Sequence, residues 1–76
     1  MRKDGYDVTV ANISARVVSE MASELALATR RGGTIIASGL LTQNSRMTEE
    51  ALEEARAHVQ RSVVDGDWVT LVARMA

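Results

Sequence analysis

Few side chains in this 76-residue sequence could do chemistry, and the best placed, Asn12 and the Ser38-Gly39 pair, each end an apolar run. Val8-Thr9-Val10-Ala11 leads into Asn12, and Thr34-Ile35-Ile36-Ala37 leads into Ser38. Unbroken β-branched or small runs of this length read as strands of a parallel sheet covered on both faces. In open α/β sheets ligands gather outside the carboxyl ends of the strands, so a lone amide there is the first place to look for chemistry. Glycine at the end of the second run lets the backbone approach a ligand closely. Both positions have plainer uses, asparagine as a helix N-cap or turn residue and glycine as a strand-to-loop joint.

Other chemistries find no residues to carry them. There is no cysteine, so neither a disulfide framework nor a thiolate metal site can form, and the single His58 makes no zinc site alone. The carboxylates are scattered, and no metal centre is expected. With a formal net charge of -1 the chain lacks the basic excess that nucleic-acid binding uses. No apolar stretch approaches the roughly 20 residues that span a bilayer, and Met1-Arg2-Lys3-Asp4-Gly5 lacks a signal-peptide core, so neither membrane nor export is expected. The expected location is the cytoplasm. Gly32-Gly33 follows a helical stretch, whereas a phosphate-binding loop precedes one; the pair reads as a helix stop.

Positioning Asn12 and Ser38-Gly39 requires a strand, a helix and a second strand. The first strand runs from Tyr6 to Ile13. From Ser14 to Arg31 the apolar residues keep helical period, with Val18, Met21, Leu25 and Ala28 on one stripe, and Ser14 or Asn12 available as cap. Thr34 to Ser38 is the second strand. Strand-helix-strand of these lengths forms a parallel pair, which opens Asn12 and Ser38-Gly39 on one sheet edge.

Leu40 to Met47 reads as a polar connection. Thr48 then caps a second helix with Leu52, Ala55 and Val59 inward, Glu49, Glu50, Glu53 and Glu54 on a solvated face, and His58 near its end. Val59 to Val64 and Trp68 to Arg74, joined by Asp65-Gly66-Asp67, form an antiparallel hairpin with an Asp-Gly turn, Val69, Leu71 and Ala73 sharing one face. Without phenylalanine the core must be aliphatic with few large anchors, and Trp68 is conspicuous, either a core residue or one at an interface or in solvent. The fold class is therefore α/β, β-α-β-α-β-β, in one small domain over residues 1–76.

Laid out in this order, the chain resembles the second half of a class I S-adenosylmethionine-dependent methyltransferase with a Rossmann-like sheet. The blocks Tyr6 to Ile13, Gly32 to Leu41, Gln43 and Gly66 to Arg74 look like the carboxyl-terminal part of the ribosomal-protein lysine methyltransferases of the PrmA type. The chain departs from that pattern at Arg31, where the family usually has proline, at Ser14, where it has leucine, and at His58-Val59, where Gly-Phe is common. The resemblance implies that Asn12 orients the amino group to be methylated, with Ile13, Ser38 and Gly39 lining the substrate pocket. It also implies S-adenosylmethionine as cofactor and a ribosomal protein as substrate. The family's glycine-rich cofactor loop lies upstream of the matched stretch, and none occurs within these 76 residues. This chain alone is then expected to bind no cofactor and to be inactive until a missing amino-terminal half completes the sheet.

A second expectation is structural. A first strand without its upstream neighbour presents Val8 to Val10 as an exposed edge, and such an edge recruits another strand. A homodimer through that strand, serving as a non-catalytic self-associating module derived from a methyltransferase, is the alternative.

Overall fold

A computed structural model of the chain describes residues 5–12 and 14–76. In chain order they form β1 (Tyr6–Asn12), α1 (Ala15–Glu20), α2 (Ala22–Ala28), β2 (Thr29–Leu41), a 3-10 turn (Thr42–Asn44), α3 (Ser45–Glu54), β3 (Ala57–Asp65) and β4 (Trp68–Met75). The strands make one sheet in the order β1-β2-β4-β3, parallel between β1 and β2 and antiparallel elsewhere. This is the α/β arrangement expected of the sequence, and the strand-helix-strand unit is parallel as its lengths require.

The core lies on one face of the sheet. Ala11, Ile35, Ala37, Leu71 and Ala73 are buried and stand in register across β1, β2 and β4, with Val18, Ala22 and Leu52 of the helices packed over them. Alanine lies on both the sheet side and the helix side of this layer, and Ile35, Leu40, Leu52 and Leu71 are its largest fully buried apolar side chains. The opposite face carries Val10, in register with Ile36 and Val72, and no helix among the described residues covers it. Val8 and Val10 are 53% and 64% exposed, which corrects the expectation of a first strand covered on both faces. Among the described residues β1 is an edge strand, with β2 as its one neighbour in the sheet.

The long first helix is in fact two. Ser14 caps α1, its hydroxyl accepting the Val17 N–H at 3.3 Å. The chain breaks at Met21 (φ -97°, ψ 5°) and resumes as α2. α2 stops at Ala28 rather than Arg31, because Thr29 turns extended and donates its hydroxyl to the Leu25 carbonyl at 2.8 Å, closing the helix end with a side chain. Gly32-Gly33 is therefore no helix stop. Tyr6 pairs with Thr29 and Val8 with Thr34, so Arg30 to Gly33 bow out of β2 opposite Asp7 alone, and Arg30 pairs with the Asp7 carboxylate across the bulge.

Thr48 does not cap α3. The helix begins a turn earlier at Ser45, whose hydroxyl donates to the Thr42 carbonyl, and Thr48 is fully buried against α1. It donates to the Ala15 carbonyl at 3.2 Å and lies 3.1 Å from the Ser19 hydroxyl, a short polar bond in an otherwise apolar helix contact. Val59 and His58 belong to β3, because α3 ends at Glu54 and Arg56 takes a left-handed φ of 69° to turn the chain. At the hairpin tip Asp65 pairs with Trp68, leaving Gly66-Asp67 as the turn. Gly66 alone has positive φ there, so glycine stands first in the turn, not second as in the expected Asp-Gly turn. Val69, Leu71 and Ala73 share the buried face as expected, and Trp68, 55% exposed, is not a core anchor.

Candidate functional site

The carboxyl ends of β1 and β2 lie side by side, with Asn12 in register with Ser38. Beyond that pair β2 bulges. Ala37 pairs with Leu71 and Leu40 with Val69, so Ser38 and Gly39 together face Thr70. Gly39 has φ +78°, and a Cβ there would sit 2.5 Å from Asn12 Oδ1. Asn12, Ser38 and Gly39 are thus brought together, as the alternation of the two strands predicts; Ile13 lies outside the described residues. Since Ser14 caps α1, the Asn12 carboxamide is left exposed and is not used as the helix cap.

Next to this edge opens a groove of about 820 Å³ lined by Ser14, Ala15, Ser19, Gly39, Leu41, Met47 and Trp68, with the Arg16–Glu20 ion pair on its α1 side. Three stretches distant in sequence meet here: α1, the end of β2 with the start of α3, and the start of β4. The Thr42 N–H donates to the Asp67 carbonyl at 2.9 Å and so ties the end of β2 to the hairpin tip beside Trp68. Leu41, Met47 and Trp68 are all exposed, and their side chains form the apolar wall of this groove. Sequence reasoning missed this wall. The one signal was the lone tryptophan at the very start of a strand, beside a turn, where core burial is harder to achieve.

The acidic face of α3 behaves as a solvated surface, with Arg46 and Glu50 paired at 3.7 Å. At its end the Glu53 carboxylate is held below the usual carboxylate range, chiefly by the hydrogen bond from His58 and then by the Val59 N–H, against a small opposing effect of burial. Among the described residues no group of three His, Cys, Asp or Glu could hold a metal ion, and no helix is long and apolar enough to cross a membrane. Left-handed glycines occur at 5, 32, 39 and 66, and none lies in the turn from β1 into α1. The residues present do not form a glycine-rich cofactor loop.

The sequence matches, over residues 1–76, the family model described as ribosomal protein L11 methyltransferase (PrmA). It is 32% identical over 74 residues to the ribosomal protein L11 methyltransferase of Listeria monocytogenes EGD-e, spanning 97% of this chain and 24% of the relative. To that of Pelotomaculum thermopropionicum it is 41% identical over 69 residues, spanning 91% and 22%. The crystal structure of a ribosomal protein L11 methylase from Lactobacillus delbrueckii subsp. bulgaricus superposes with a TM-score of 0.85 at 26% identity, covering 95% of this chain and 38% of that one. The chain therefore spans about a quarter of the length of the curated relatives it matches.

Proposed function

This chain belongs to the ribosomal protein L11 methyltransferase (PrmA) family, and from that premise we propose that it supplies the acceptor side of an S-adenosylmethionine-dependent methyltransferase acting on a lysine of a ribosomal protein. One observation carries the reading. Asn12 projects an exposed carboxamide at the carboxyl end of a parallel strand, in register with Ser38 and against Gly39, beside an apolar groove.

An amine accepts a methyl group through its lone pair, so it must be held by its N–H bonds with the lone pair free. The Asn12 carboxamide oxygen, with a neighbouring backbone carbonyl, can take two such N–H bonds and fix the direction of attack. The groove with Leu41, Met47 and Trp68 takes the adjoining segment of the acceptor protein. The cofactor supplies the methyl group, and the residues described here offer it no binding loop, so this chain by itself binds none and is inactive alone.

The reading is tested by titrating S-adenosylmethionine into the purified chain in a calorimeter, with mass in solution determined on the same sample. A folded chain that binds none is expected; binding would overturn the statement that the cofactor half is elsewhere. Mixing the chain with the amino-terminal part of a relative, such as the Listeria enzyme, then restores methylation of ribosomal protein L11 if the acceptor assignment holds.

A second reading rests on the edge position of β1, where Val8 and Val10 are exposed. A second copy adding its own β1 there would give a closed two-fold pair and a non-catalytic, self-associating module. A single species of monomer mass across dilution in light scattering rules that out.

A further inference from the structure

The geometry points to Gly39 as a positioning residue for the Asn12 carboxamide: it leaves empty the space that any side chain at 39 would take from it. The inference draws its functional meaning from the acceptor-orienting reading of Asn12. Its structural grounds are independent of that reading.

The bulge that carries Gly39 is pinned on both sides. Ala37 and Leu71 before it, and Leu40 and Val69 after it, are register pairs buried in the core. A slip of β2 by one residue would turn Leu40 out of the core, so the backbone atoms of one extra residue must be absorbed at Ser38 and Gly39. Gly39 absorbs them with φ +78°, a region that side chains enter at a cost.

Strain alone would leave the glycine unrelated to Asn12, and the surroundings show otherwise. At the hairpin tip Gly66 has a similar left-handed φ of +62°, and a Cβ there would meet nothing within 4 Å. At Gly39 the atoms a Cβ would meet within 4 Å both belong to Asn12, Oδ1 at 2.5 Å and Cγ at 3.8 Å. Ordinary contact begins near 3.4 Å, so a single methyl group at 39 would drive the carboxamide oxygen aside by about 1 Å. A displacement of that order is what an acceptor-orienting group cannot absorb, since in-line transfer depends on the approach of the amine. Gly39 thus acts through Asn12 and need not touch substrate.

The test uses the chain without substrate. Urea unfolding is measured for the unmodified chain, Gly39→Ala, Asn12→Ala and the double variant, alongside the Asn12 side-chain amide resonances by NMR. The loss of folding equilibrium constant caused by Gly39→Ala should be about tenfold smaller when Asn12 is already alanine, and in Gly39→Ala the Asn12 side-chain resonances should shift while those of Ile35 and Leu71 hold. Additive losses, or an unmoved Asn12 amide, overturn the inference. Should Gly39→Ala fail to fold, the double variant decides: with the Asn12 carboxamide gone it is expected to fold, and a double variant that also fails to fold overturns the inference. Methylation measured in the mixture with a relative's amino-terminal part is a separate question, where an unaffected Asn12→Ala would remove the acceptor reading and leave the coupling of 39 to 12 as measured.

Discussion

The carboxylate of Glu53 accepts the Nδ1–H of His58 at 2.9 Å and the N–H of Val59 at 2.8 Å, so one side chain clasps the last turn of α3 to the first residues of β3. The two bonds favour the charged form and hold the carboxyl below its ordinary range. A carboxyl whose folded value is depressed contributes its stability above the unfolded value and loses it as pH falls through the folded one. Glu53→Gln should therefore lower the urea midpoint most at neutral pH, by a pH-independent amount, and flatten the acid limb, parent and variant converging as pH falls through the depressed folded value. A limb unchanged from the parent would show that the clasp does not form in solution.

Thr48 is the polar bond between α1 and α3. Thr48→Val keeps its shape and removes both the bond to the Ala15 carbonyl and that to Ser19, leaving the Ser19 hydroxyl with only its own bond to Ala15. The expected loss is about 1–2 kcal/mol in urea unfolding.

Leu52 and Trp68 should behave oppositely to what side-chain size suggests. Leu52 is fully buried, and Leu52→Ala should cost about 2–5 kcal/mol, a large part of the few kcal/mol that hold a domain this small. Trp68 is more than half exposed, and Trp68→Ala should cost no more than about 1 kcal/mol while weakening acceptor binding in the groove. A loss of several kcal/mol at Trp68 would place the indole in the core.

Capping separates Ser14 from Asn12. Ser14→Ala should remove about 1 kcal/mol and some helical circular dichroism, because its hydroxyl holds the Val17 N–H. Asn12→Ala should do neither.

On the exposed edge, Val10→Lys should abolish any concentration-dependent mass seen by light scattering without lowering the urea midpoint, since Val10 packs against no helix. Association that survives the substitution would have to use another surface.

How much was legible in the residues follows from how local each decision is. The parallel β1–β2 pair, the hairpin and the burial of Val69, Leu71 and Ala73 could be read directly, because alternation and turn chemistry act within a few residues. From the same patterns Asn12 and Ser38-Gly39 could be placed on one edge. The residues alone also excluded a metal centre built on cysteine and a bilayer-spanning run. Only the tertiary structure decided that the long helix breaks at Met21 and yields to β2 at Thr29, where pairing with Tyr6 outweighs a helical pattern that continues on paper. The same is true of Thr48, whose cap-like context gives way to a buried bond with a carbonyl 33 residues earlier. It holds as well for the groove, assembled from α1, α3 and the ends of β2 and β4. Local propensities are worth tenths of a kcal/mol per residue, and burial against partners far along the chain is worth several, so the long-range contacts prevail wherever the two disagree.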